Sequence, residues 1–131
     1  MRLLSWNCRG IGGAPTARSL KALVRGKSPN VLFLAESKVK SPRLEKLKVG
    51  MGFSKFFGVD SVGKASGLVL FWKQGVKVEV VFSNSNVIAA LVYSVPTNHM
   101  WLLLAVHSPP YFAKKKKKKI WVSNGGSDYP V

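Results

Sequence analysis

"VLFLAE", residues 31–36, places five apolar side chains in a row and then a carboxylate. A strand with one wet face alternates apolar and polar residues, so a run without alternation belongs to an internal strand covered on both faces. Glu36 marks the mouth of that strand. Upstream, residues 2–7 read as a short strand ending on Asn7, and Gly10, Gly12 and Gly13 make a flexible turn. Pro15 suits the first position of a helix. Ala17, Leu20, Leu23 and Val24 then recur at helical spacing, with Arg18, Lys21 and Arg25 on the other face. Ser28-Pro29-Asn30 ends that helix. The order strand, helix, strand is a βαβ-like opening.

Downstream, Ser41-Pro42 reads as an N-cap followed by a first-turn proline. Leu44, Leu47 and Met51 supply a short apolar stripe, and Gly50 or Gly52 ends the helix. The chain then turns to β structure. Residues 53–59 and 67–72 are candidate strands, and Val76, Val78, Val80 and Phe82 form the apolar stripe of a half-exposed one. Residues 86–95 and 99–106 follow, with Ser83–Asn86 and Pro96-Thr97-Asn98 as turns, so these last strands read as an antiparallel meander. Composition changes after Pro110. We read 1–110 as one domain and 111–131 as a basic, disordered tail with at most one helical turn near Ile120-Trp121.

The chain has 131 residues, enough for one domain, and 47% of them are hydrophobic, the share of a globular core. Twenty-one Lys and Arg face five acids, a net charge of +16. Six of the lysines form one run, Lys114–Lys119, which reads as a nuclear localisation signal, a phosphate-binding tail or simply a solvated tract. A surface this positive favours polyanions through counterion release, so DNA or another nucleic acid is the expected partner, bound weakly and by charge. Cys8 is the single cysteine, so no internal disulfide forms, which fits a nuclear or cytoplasmic protein. Leu3-Leu4 runs straight into polar residues, unlike a signal peptide, and the longest apolar run, Met100–Val106, is too short to cross a bilayer.

Two strands thus end on oxygen-bearing side chains, Asn7 and Glu36. Side by side at one sheet edge, an amide and a carboxylate make part of a site for a hard cation that keeps several waters. By spacing alone the same pair also reads as a capping Asn and a surface Glu.

The wording around those residues narrows the choice. Ser5-Trp6-Asn7-Cys8-Arg9-Gly10, Ala35-Glu36-Ser37-Lys38, Ser66-Gly67-Leu68-Val69-Leu70-Phe71-Trp72 and His107-Ser108-Pro109-Pro110 occur in that order. Together they resemble the opening of the endonuclease/exonuclease/phosphatase superfamily, the DNase I-like fold. The pattern is most similar to the endonuclease domains of plant LINE-type retrotransposons. The resemblance covers residues 1 to about 112. It implies an α/β fold of α+β type: the first half of a four-layer α/β/β/α sandwich, with one mixed or antiparallel sheet and two flanking helices. It implies Glu36 as the main metal ligand, for Mg²⁺ or Mn²⁺. Asn7 would help to order the site and touch the phosphate or the metal shell. Lys38 would lie near the phosphate or hold Glu36 in place, and Arg9 is a further candidate phosphate contact.

The departures from the family pattern bear on activity. At the family's Y-G-P-P position the tyrosine is replaced by His107, which could still donate a hydrogen bond to phosphate but has no evident acidic partner in the sequence. The G-D-[FW]-N motif and the closing S-D-H motif, which supply the nucleophile-activating groups, are absent. "SDYPV", residues 127–131, echoes the latter only superficially. The expectation is therefore a truncated, metal-dependent phosphodiesterase or endonuclease-like domain that is catalytically inactive. The alternatives are a non-catalytic basic nucleic-acid-binding module and a phosphatase. If only the first sheet is present, the strands at 31–36, 66–72 and 99–106 would show one broad apolar face to water and favour self-association. Cys8 reads as a structural thiol, and Trp72 and Trp101 as core residues, with Trp6 undecided.

Overall fold

The computed structural model describes residues 1–7, 14–59, 67–94, 99–107, 119–124 and 127–130. Two sheets and two helices account for them. Strand β1 (Leu3–Asn7) pairs in parallel with β2 (Val31–Ala35), and helix α1 (Ala14–Lys27) crosses between them. Helix α2 (Ser41–Met51) leads into β3 (Lys55–Val59) and β4 (Leu68–Trp72). These strands make a mixed first sheet in the order β1-β2-β4-β3. The second sheet is a continuous antiparallel meander of β5 (Val76–Asn84), β6 (Val87–Ser94), β7 (His99–Val106), β8 (Lys119–Asn124) and β9 (Ser127–Pro130).

Strand β2 is internal, with every residue buried. Its period of two splits it between two cores. Leu32 and Leu34 join Leu20 and Val24 of α1, Leu44, Leu47 and Met51 of α2, and Val69 and Phe71 of β4. Val31, Phe33 and Ala35 face the other way, with Leu68, Leu70 and Trp72 of β4, and meet Ile88, Ala90, Val92, Leu103 and Ala105 of the second sheet. Helices therefore cover one face of the first sheet and a second sheet covers the other. Among the described residues no helix is long and apolar enough to cross a membrane.

The α/β class stands, but the expectation of a single sheet does not. The meander forms a second layer, so the strands at 31–36 and 67–72 are not exposed on one face. Sheets packed face to face interdigitate their inward residues, and β7 supplies Leu103 and Ala105 to that contact. On the outer side of the second sheet, Phe82, Met100, Leu102 and Leu104 face water. Within the stretch read as a tail with at most one helical turn, β8 pairs with β7, and β9 with β8.

Two local details also differ. Ser41 is the first residue of α2 rather than its cap; Lys40 holds the cap position in extended conformation without a side-chain bond. Gly52 ends the helix at φ +82°, a left-handed conformation that glycine adopts without steric cost. In β5 the register shifts between Val80 and Phe82, a bulge that puts Phe82 opposite Ala89 and leaves it 57% exposed. The turn into β6 is held by Asn84, whose Oδ1 accepts from the amides of Asn86 at 2.8 Å and Val87 at 3.0 Å. Trp6, the undecided aromatic, packs on the helix-side core, and Trp101, read as a core residue, packs on the inter-sheet core.

Candidate functional site

Parallel pairing of β1 with β2 sets Asn7 directly beside Ala35, so the amide lies one residue from Glu36 at the same sheet edge. The chain then makes an unusual turn. Glu36 has φ +57° and Lys38 φ +54°, left-handed conformations uncommon for residues that carry a Cβ. Between them Ser37 is 2% exposed. Such backbone persists where the surroundings over-determine it. The partner here is the start of β4: the Ser37 amide donates to the Gly67 carbonyl at 3.0 Å. A Cβ on Gly67 would come within 2.9 Å of Ser37 Oγ, so glycine is what lets the two segments approach. The result is that Glu36 leaves the strand at a fixed angle, with its side chain 18% exposed.

His107 follows β7 and reaches the same place from the second sheet. Its backbone amide donates to the Asn86 carbonyl at 2.8 Å, tying it to the β5–β6 turn. Its ring is almost wholly buried, and Nε2 lies 3.6 Å from Glu36 Oε2. That is an ion-pair distance when the imidazole is protonated, and slightly long for a hydrogen bond. The sequence offered His107 no evident acidic partner. The fold supplies one, because the ends of β2 and β7 meet where the two sheets close.

The described candidates thus fall into one locus. Glu36 and His107 are in direct approach, and Asn7 is adjacent by strand register. Lys38 lies two residues beyond Glu36 and is exposed to solvent. Arg9, Cys8, the glycines of residues 10–13, Ser66 and Ser108–Pro110 lie outside the described residues. Ser37 and Gly67 went unassigned in the sequence reading, although both sit in the quoted motifs. Their spacing from Glu36 gives no hint of the contact, which depends on β4 running antiparallel to β2.

A carboxylate and an amide oxygen form a donor pair suited to a hard divalent cation, with water filling the remaining positions. The imidazole adds a nitrogen donor, which Mn²⁺ accepts more readily than Mg²⁺. Among the described residues no group of three or more His, Cys, Asp and Glu side chains could hold a metal ion. The donor set therefore fits a weakly held cation that keeps much of its hydration, and not a closed structural site.

No family model matches the sequence, and no curated protein matches it. Solved structures do match by fold. The AP endonuclease LMAP from Leishmania major superposes with a TM-score of 0.59 over 81% of this chain, at 18% identity. The match covers 39% of that enzyme, so this chain spans well under half of its length. At that identity the likeness is one of fold: a DNase I-like arrangement of two sheets with helices against the first.

Proposed function

We propose that these residues form part of a retroelement-type, metal-dependent endonuclease domain of the plant LINE kind, and that by themselves they bind phosphodiesters without cleaving them. The observation that carries this reading is the approach of Glu36 and His107 at the mouth of β2, beside Asn7 and on a backbone held in a rare conformation. The DNase I-like fold and the order of the four motifs support it.

A bound Mg²⁺ or Mn²⁺ would supply charge stabilisation on the phosphate and its leaving oxygen. Glu36 and Asn7 would hold it. His107 would donate a ring N–H to a phosphate oxygen, with the Glu36 carboxylate beside it. Lys38 would meet the phosphate from solvent, with Arg9 as a further contact. Of the five acids, Glu36 is assigned to the cation, Glu45 is engaged with Lys48 and Glu79 lies on the β5 strand; Asp60 and the Asp128 side chain lie outside what is described, and the two motifs that would supply the activating groups are absent from the sequence. Binding without turnover is the expected behaviour.

Titration of the full chain with Mn²⁺, followed by electron paramagnetic resonance of the free ion, tests the site. Glu36→Gln should weaken binding by about tenfold or more, the loss typical of a charged ligand. Supercoiled DNA should stay intact with Mg²⁺ or Mn²⁺. Robust nicking abolished by Glu36→Gln would overturn the inactive reading.

The charge of +16 favours a second reading, a basic nucleic-acid-binding module of the nucleus or cytosol. In that case DNA affinity should fall steeply with salt and ignore both EDTA and Glu36→Gln.

A further inference from the structure

A second polar feature lies at the opposite end of the first sheet. Where α1 and α2 finish and β4 gives way to β5, a cavity of about 200 Å³ is lined by Lys21, Val24, Arg25, Ser28, Gly50, Met51 and Lys73. Three of these residues are cations and none is an acid. At roughly 30 Å³ per water the space corresponds to about seven waters, room for one tetrahedral oxyanion with part of its hydration. Strand β2 separates this cavity from Glu36. Lys73 donates its amide to Asn30, just before β2 starts, and five residues at about 3.3 Å each put the two ends roughly 16 Å apart.

The placement of the cations is built in. Gly50 sits in the last turn of α2, where glycine weakens a helix. A Cβ there would lie 3.3 Å from both Cε and Nζ of Lys21, so the bare backbone leaves the place that the ammonium occupies. Ser28 closes α1 with φ +45°, and its amide donates to Val24 at 2.8 Å. That puts a hydroxyl-bearing residue at the cavity wall where glycine is the usual helix stop. Arg25 and Lys27 suffice to complement the negative end of the α1 dipole. Lys21, a turn earlier, also stands by the last turn of α2 and its negative end, and Lys73 brings a further cation from another element.

We propose that this cavity is an anion site for a phosphate group, taken either from a free phosphate compound or from a nucleic-acid backbone. It stands apart from the Glu36 reading, and its test is run in EDTA so that the two can fail separately. Pyrophosphate and a short DNA duplex are titrated calorimetrically into the full chain at constant ionic strength. The triple variant Lys21→Gln, Arg25→Gln, Lys73→Gln is set against a control of equal charge change, Arg18→Gln, Lys46→Gln, Lys55→Gln. The cavity variant should lose about tenfold or more in affinity, and the control no more than about twofold, since charge-assisted contacts are lost only in the first. Loss confined to pyrophosphate identifies a free phosphate compound as the source; loss extending to the duplex identifies the nucleic-acid backbone. Gly50→Ala supplies a variant that favours the helix yet crowds Lys21, and it should weaken binding while raising the melting temperature. Equal losses in the two triples, or no detectable binding of either anion by the native chain, would overturn the proposal.

Discussion

The two sheets of this protein live in different surroundings. The first is buried on both faces, by helices on one side and by its partner sheet on the other, and β2 and β4 are apolar throughout. The second, in the described side chains of β6 and β7, is buried on one face and alternates: Leu103 is 2% exposed, whereas Leu102 beside it is 40% exposed. Continuous apolar sequence marks the middle layer of a stack, and alternation marks an outer one. The outer face keeps Phe82, Met100, Leu102 and Leu104 exposed.

The comparison breaks most readily in the middle layer. Phe33→Ala removes a fully buried ring from the inter-sheet core and should cost about 3–5 kcal/mol by urea unfolding. A loss under about 1 kcal/mol would mean that the two sheets are not packed on each other as described. Gly67→Ala should cost about 1–3 kcal/mol, as overpacking does, because the new methyl group meets Ser37 Oγ. Adding Ser37→Ala removes that oxygen, and a double-mutant cycle should recover much of the loss. On the outer face, Leu102→Lys should change stability by no more than about 0.5 kcal/mol.

How much was legible follows the same division. The two-sided burial of β2 is written in five consecutive apolar residues, and the inward face of α1 in Leu20 and Val24, because both are local periodicities. The meander strands were also visible as strands. Their layer was not, since it depends on which core Ile88 and Leu103 choose to share. Lysines and a Ser-, Gly- and Asp-rich ending outweighed strand signals in the final residues, where pairing with β7 decides the outcome; strand preference follows neighbours more than intrinsic tendency. The bulge at Val80 and Phe82 left no mark on the alternation. At the candidate site, Asn7 and Glu36 were found as strand ends. The partnership of Glu36 with His107 joins positions far apart in sequence on different sheets, and only the closing of the sandwich creates it.

His107 belongs to one layer by its backbone and to the other by its ring: its amide is fastened to Asn86, and its imidazole stands against Glu36. A breathing motion that parts the layers at this end would draw nitrogen and carboxylate apart before any ladder rung opened. Whatever this corner grips, its hold is a gauge of how firmly the two slabs are latched, and ligand occupancy there should slow amide exchange along both flanking strands together.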